Sequence, residues 1–494
     1  MSEQAYSIPE KADPLYHRER LFIGGAWRPG TAPDAIAVVS PFTEQPVGRA
    51  PGTAPADVDA AVAAAQRALT DTPWASWDTE SRAAALDRLA DALERRAQDT
   101  ARLVTAENGM PISVSSAVEG PGPAQTLRYY AQLARTVPQE ERRPAASGSG
   151  TTVVRREPVG VVAAVVPWNF PQSLTMFKVA AALAAGCAVI VKPAPETVLD
   201  AFQLADAALE AGLPDGVVNV ITGGGDIGAY LVGHPGVDKV AFTGSTEVGR
   251  AIGEVCGRLL RPVTLELGGK SAAIVLDDAD LTSAVRGLAW ACLLNSGQTC
   301  YTSSRILAPR GRYEEVVDAV ADLARSLRVG DPSDAATRVG PLVSARQRDR
   351  VESYIAAGRA DGARVVTGGG RPAGFERGWF VEPTVFADVD NSAAVAREEI
   401  FGPVLAVIPY DDLDQAVAIA NDSPYGLAGT VWTSDEEKGL EIARRMRTGT
   451  VGVNFYNLDL GAPFGGAKAS GLGRELGPEG LAAYVEYKSV YLRR

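Results

Sequence analysis

Between residues 159 and 266, short apolar runs alternate with longer segments whose apolar positions recur every three or four residues. Val159 to Val166 is a continuous run of small and β-branched residues, the pattern of a strand buried on both faces. The same reading predicts strands at 187–191, 217–221, 237–242 and 262–266, and helices at 173–185, 197–211, 226–233 and 246–257. Gly186 supplies a helix stop. Strand–helix alternation at this spacing implies right-handed crossovers and a doubly wound parallel sheet. A second α/β series follows, with strands at 272–276, 303–308, 383–387, 404–409, 428–433 and 450–453 and helices at 280–294, 312–328 and 344–360. Ahead of both lie an irregular arm (1–20), β-like pieces at 20–27 and 35–40, and Ala-rich amphipathic helices at 56–70 and 79–98. The hairpin 140–158 is polar, with no large apolar face, and suits pairing with another subunit; the β-prone tail 481–494 also reads as pairing outside the main sheets.

Composition narrows this picture. A chain of 494 residues exceeds one hydrophobic core, so two or three domains are expected. A net charge of −12 argues against a nucleic-acid partner. No apolar run reaches the 18 residues of a membrane span, and the first twenty residues lack the apolar stretch of a signal peptide, so no membrane association is expected. The four cysteines (Cys187, Cys256, Cys292, Cys300) include no C-x-x-C pair, and reduced thiols in a cytoplasmic protein fit best. With only His17 and His234, most of the chain is without the commonest base and metal ligand, and no metal site is expected.

Several stretches can carry chemistry. Asn295 to Tyr301 is a polar, glycine-bearing loop that places Cys300 after a helix-like run; the thiol is either a nucleophile or a small buried residue. Gly223 to Gly228 satisfies G-x-G-x-x-G between a strand and a helix, although not after the first strand, where a dinucleotide fingerprint belongs. Phe242 to Gly249 also joins strand to helix and offers an anion site, a capping box built on Ser245 or Thr246, or both. Lys192 stands just past a strand end, able to meet a ribose or phosphate, or simply solvated. Glu266, between leucines and before two glycines, is a general base if buried, or a salt-bridged structural residue. The stiff loop Pro167 to Pro171 presents Asn169, whose amide can donate to an oxyanion.

Together these motifs resemble the NAD(P)-dependent aldehyde dehydrogenase superfamily over nearly the whole chain. Carrying the resemblance are Pro-Trp-Asn-Phe-Pro (167–171), the Lys192 segment, Phe-Thr-Gly-Ser (242–245) and Leu-Glu-Leu-Gly-Gly-Lys (265–270). Gly-Gln-Thr-Cys (297–300), Glu-Glu-Ile-Phe-Gly-Pro (398–403) and Pro-Phe-Gly-Gly-x-Lys-x-Ser-Gly (463–471) complete the set. The resemblance implies a Rossmann-like cofactor domain (1–139 and 159–265), a second α/β catalytic domain (266–465) and a small β oligomerisation arm (140–158 and 480–494). It implies aldehyde oxidation through a thiohemiacetal and thioester on Cys300, with Asn169 holding the oxyanion and Glu266 activating water. Cofactor contacts are implied for Val166, Pro167, Trp168, Lys192, Pro195, Glu196, Gly225, Phe242, Thr243, Gly244, Ser245, Val248, Leu267, Gly268, Glu399 and Phe401. A homodimer or homotetramer is expected.

Two departures bear on specificity. Many NAD-preferring members place a glutamate three residues after the lysine, where it binds both ribose hydroxyls; here Pro195 stands there and Glu196 one place on. NAD is the expected cofactor, with NADP admitted. In members acting on succinate semialdehyde an arginine precedes the lysine of the first helix, whereas here Phe177 precedes Lys178, so acidic semialdehydes are not expected. Leu174, Phe177, Thr299, Tyr301, Leu458 and Phe464 outline an apolar or aromatic mouth, Asp459 excepted. A CoA-acylating relative would typically lack Glu266, and a cysteine hydrolase would need a histidine beside Cys300.

Overall fold

The computed structural model describes residues 15–493, so most of the predicted arm at 1–20 lies outside the described residues. The first sheet has the order Gly471–Leu472, Val263–Glu266, Lys239–Thr243, Val161–Val165, Ala188–Lys192, Val218–Val220, Arg20–Ile23, Ala26–Pro29. Its middle strands run parallel, while the ends are closed by antiparallel partners. Val161–Val165 and Ala188–Lys192 are buried throughout, as expected where helices cover both faces. From Val161–Val165 the chain winds outward one way to Val218–Val220, then returns to lay Lys239–Thr243 on the other side. The reversal falls between Val161–Val165 and Lys239–Thr243, where such sheets open a crevice beyond the strand ends.

The second sheet has the order Arg364–Thr367, Thr384–Ala387, Val404–Tyr410, Arg305–Pro309, Ala272–Val275, Gly429–Trp432, Gly452–Val453. A third, three-stranded sheet joins Val485–Leu492 to Thr151–Pro158 and Glu140–Pro144, in unbroken register from Val485↔Pro158 to Leu492↔Thr151. The hairpin and the tail thus pair with each other, apart from both main sheets. The arm is less polar on its faces than its sequence suggested, because Val153 and Val154, on opposite faces, are both buried.

The predicted helix at 79–98 is two: Thr79–Arg95 ends at Arg96 and the chain restarts as Ala97–Asn108. The helix Gly122–Thr136 escaped the sequence reading because Gly120, Pro121, Gly122 and Pro123 look like a loop, yet proline is tolerated in a helix's first turn. No helix among the described residues is long and apolar enough to cross a membrane.

Candidate active site

At the crevice the loops after Val161–Val165 and Lys239–Thr243 meet the Cys300 loop, the helix Ala345–Ala360 and the segment 399–401. A cleft of about 500 Å³ is lined by Pro167, Trp168, Asn169, Thr243, Gly244, Ser245, Glu247, Leu267, Gly268 and Cys300. Arg346, Gln347, Arg350, Glu399 and Phe401 close it from the other side. The topological reversal and the candidate cysteine therefore open onto one space.

Cys300 reaches it through an unusual turn. After the helix Leu281–Leu293, Asn295, Ser296 and Gly297 take φ of 49°, 57° and 76°, three consecutive left-handed residues. Non-glycine residues there cost on the order of 1–3 kcal/mol each, so the surroundings must hold them. Ser296 Oγ donates to the Gly340 carbonyl and accepts from the Gly340 N–H, both at 3.0 Å. Gln298 Oε1 accepts from the Val343 N–H at 3.0 Å, and Asn295 Nδ2 donates to the Asn169 carbonyl at 2.9 Å. Gly297 is compulsory, since a Cβ would stand 2.2 Å from the Gly402 carbonyl oxygen. Asn169 returns the tie, its Nδ2 donating to the Gln298 carbonyl at 3.0 Å. The amide that could serve an oxyanion is thereby fastened to the cysteine loop.

Glycines bring the remaining motifs in. A Cβ on Gly269 would lie 2.3 Å from the Cys300 carbonyl, and one on Gly465 would lie 2.6 Å from Glu266 Oε1. The segments 265–270, 297–300 and 463–471 can only pack this closely with bare backbone at those points. Glu266 is buried and neither carboxylate oxygen has a hydrogen-bond partner, so it is not the salt-bridged structural residue of the alternative reading. Burial first, then the like charge of Glu475, holds its pKa well above the ordinary carboxylate value, against Lys178 and Arg474. Glu475 and Lys178, neither of which the sequence singled out for chemistry, form a buried ion pair at 2.7 Å, and Lys178 Nζ also donates to Thr243 Oγ1 at 2.6 Å. The Cys300 thiol is half-buried and pushed up by burial and by the carboxylates of Glu399 and Glu266.

Glu399 Oε1 accepts from the Gly269 N–H at 3.0 Å, and burial lifts its pKa to about 7. Phe401, at φ 62°, sets its ring edge-on to Trp168 with centroids 5.3 Å apart. Ser245 caps the helix Thr246–Arg258 by accepting from the Val248 N–H, but the capping box is incomplete because Val248 occupies the place of the reciprocal glutamate. Lys192 is buried rather than solvated, donating to the carbonyls of Gly223 (2.7 Å) and Pro193 (2.9 Å), and its pKa falls to about 8 through desolvation. Val166, Lys192, Pro195, Glu196, Gly225, Phe242 and Val248 do not border the cleft around Cys300, and Val248 is exposed on the outside of its helix. Arg346, which does border it, approaches Glu196 at 3.9 Å.

On the other side of Cys300 lies an apolar cluster. Leu174, Phe177 and Phe464 pack with Tyr301 and Leu458 around the thiol, joined by Val104, Met110, Phe170, Leu294, Leu427 and Leu476. The Tyr301 ring lies against Tyr456 at 4.9 Å and edge-on to Phe464 at 6.4 Å. Thr299 turns away, donating its hydroxyl to the Leu294 carbonyl at 3.0 Å, and so shapes the loop rather than the mouth. Met110, Val104 and Leu476 went unseen because nothing in an isolated apolar residue tells which core it joins.

Residues 27–490 match the model of the aldehyde dehydrogenase family. The chain belongs to that family. Geranial dehydrogenase from Castellaniella defragrans is 57% identical to this family member over 474 residues, covering 96% of this chain and 98% of that one. Among solved structures, a Mycobacterium tuberculosis aldehyde dehydrogenase complexed with NAD+ superposes on it with a TM-score of 0.94 at 49% identity, covering 97% and 98% of the two chains. Aldehyde dehydrogenase C from Pseudomonas syringae, a mutant complexed with NAD+ and octanal, gives 0.93 at 39% identity, with 98% of each chain covered. The enzyme is thus an oxidoreductase of aldehydes, and the mixed α/β architecture is that of its relatives.

Proposed function

We propose that this enzyme oxidises apolar aldehydes of medium length, with NAD as cofactor, to the corresponding acids. The observation that carries the substrate class is the apolar wall of Leu174, Phe177, Tyr301, Leu458 and Phe464 packed together with Cys300. A geranial dehydrogenase at 57% identity and an octanal complex at 39% point the same way.

Cys300 is the nucleophile in this reading. Its thiol is neutral at rest, so the attack requires removal of its proton, and Glu266, unpartnered and with raised basicity, is the available acceptor. Asn169 Nδ2, fixed by the Gln298 carbonyl, and the Cys300 backbone N–H stabilise the tetrahedral oxyanion. After that first proton has passed on to solvent, the carboxylate of Glu266 is free again to take a proton from the water that hydrolyses the thioester. The cleft fits the nicotinamide and pyrophosphate part of a dinucleotide: Glu399 offers an acceptor for ribose hydroxyls and the capped start of Thr246–Arg258 suits a pyrophosphate, while Lys192 lies beyond the cleft, its ammonium held by the Gly223 carbonyl. When bound, the nicotinamide supplies the hydride acceptor. Assembly through the arm of Val485–Leu492 and the hairpin is supported by its exposed Tyr487 and Tyr491, 60% and 81% accessible.

The test is a panel of aldehydes from propanal to decanal, with geranial and succinate semialdehyde, followed by NADH formation in parent and Cys300→Ala enzyme. Activity rising with chain length and lost in the variant is expected. Retained activity in Cys300→Ala removes the nucleophile, and preference for the acidic semialdehyde removes the apolar wall.

A further inference from the structure

The helix Pro171–Ala185 carries Leu174 and Phe177, yet its start has no cap of its own. Phe170 provides no side-chain acceptor, and every residue of the helix is buried, so water cannot satisfy the first-turn N–H groups. We propose that Glu119 is a positioning residue that caps this helix from a separate segment and so sets where Leu174 and Phe177 stand against the substrate. The proposal rests on the reading of those side chains as the substrate wall.

Glu119 follows the short helix Ile112–Ser115, where its own N–H donates to the Ser115 carbonyl at 2.9 Å. Its side chain is fully buried and spans the helix start: Oε2 accepts from the Gln172 N–H at 2.8 Å and Oε1 from Ser173 Oγ at 2.5 Å. A carboxylate at that end also meets the positive pole of the helix. The anchor continues beyond it. Gln172 Nε2 donates to the carbonyl and carboxylate of Asp200 at 2.8 and 3.1 Å, and Glu107 accepts from the N–H groups of Leu199 and Asp200, both at 2.9 Å. Asn108, beside Glu107, donates to the Trp168 carbonyl at 2.7 Å. The start of the wall helix is thus pinned between the segment 115–120 and the turn 198–201, one residue past the Asn169–Phe170 loop.

The lever is short. Leu174 and Phe177 lie within the first two turns after the cap, so a shift or fraying at Gln172 is transmitted with little loss. Val118, next to Glu119, packs in the same apolar cluster as Phe177, Tyr301 and Cys300, which places the cap directly behind the mouth. Burial raises Glu119 to about 7 despite its donors; the charged or titratable groups facing it are Asp200 and Tyr301.

The experiment compares parent, Glu119→Gln and Ser173→Ala for steady-state oxidation of propanal and octanal, with NAD affinity by calorimetry and Tm by scanning calorimetry. Glutamine keeps the volume but replaces one acceptor by a donor, removing one charge-assisted bond, and kcat/KM for octanal should fall about tenfold. The fall should lie in KM, with propanal kinetics and NAD affinity within about twofold. Ser173→Ala, which leaves the Gln172 N–H capped, should shift octanal KM in the same direction by about threefold, and it decides the matter if Glu119→Gln does not fold. Equal losses for both aldehydes in the folded variants, or none, overturn the proposal. A parent enzyme that does not prefer octanal to propanal overturns the wall reading itself, and the positioning role with it.

Discussion

Replacing Glu475 with glutamine should move the pH dependence of thioester hydrolysis toward acid. Glu475 is buried, one oxygen bound to Lys178 and the other without a partner, and its charge is the second cause of the raised pKa of Glu266 after burial. The substitution removes that like charge and leaves the ammonium of Lys178 uncompensated, and both changes favour ionised Glu266. For unit charges at about 6 Å, the outer reach of such pairwise effects, an effective dielectric of about 20 gives roughly 3 kcal/mol. With partial relaxation, a fall of about one to two pH units follows. A base acts when deprotonated, so its rate climbs as pH rises through its pKa, and a lower pKa carries that climb to lower pH. The assay is the rate after the initial NADH burst, measured from pH 5.5 to 9. Lys178→Met should shift the same limb the opposite way. An acid limb unmoved in Glu475→Gln, or displaced toward alkaline pH, refutes the electrostatic account of Glu266. The variant should also lose stability, by about 3–5 kcal/mol, because a buried cation is left unpaired, and calorimetry checks this.

Gly297→Ala should destabilise the cysteine loop by about 2 kcal/mol or more, combining a left-handed alanine with the encroachment on the Gly402 carbonyl, and should cut kcat more than it weakens NAD binding. Stopped-flow bursts and NAD titration separate the two effects. Pro195→Glu should lower the affinity for NADP relative to NAD, by about tenfold, through repulsion of the 2′-phosphate, and a ratio unchanged by the substitution in binding titrations removes Pro195 from cofactor choice.

The parallel strands and their helices were legible in the chain because β-branched runs such as Val159 to Val166 and the stop at Gly186 state their structure locally. The residues proposed for chemistry were legible through motifs, each of which announces itself within a few positions. Position in space was not. Lys192 reads as a ligand contact or a solvated lysine and Glu266 as a buried base or a salt-bridged structural residue, and only the assembled sheet shows both buried. Lys178 and Glu475 are 297 residues apart, and no local pattern links them. The left-handed turn at 295–297 is written in its neighbours rather than in itself, because asparagine visits that conformation singly and serine seldom, and a consecutive pair needs Gly340, Val343 and Asn169 to hold it there.

The short strand Gly471–Leu472 has a consequence for how the enzyme is made. Its pairing, Leu265↔Leu472 and Glu266↔Gly471, covers the free edge of the strand that ends in the proposed base. On the ribosome that edge stays open while some two hundred further residues are added, long after the strands from Val161 to Thr243 have emerged. Glu266 therefore acquires its final surroundings, Gly465, Arg474 and Glu475 among them, only once the segment 465–475 has been made. A nascent chain stalled before residue 465 would carry the cysteine but not the enclosure of the carboxylate.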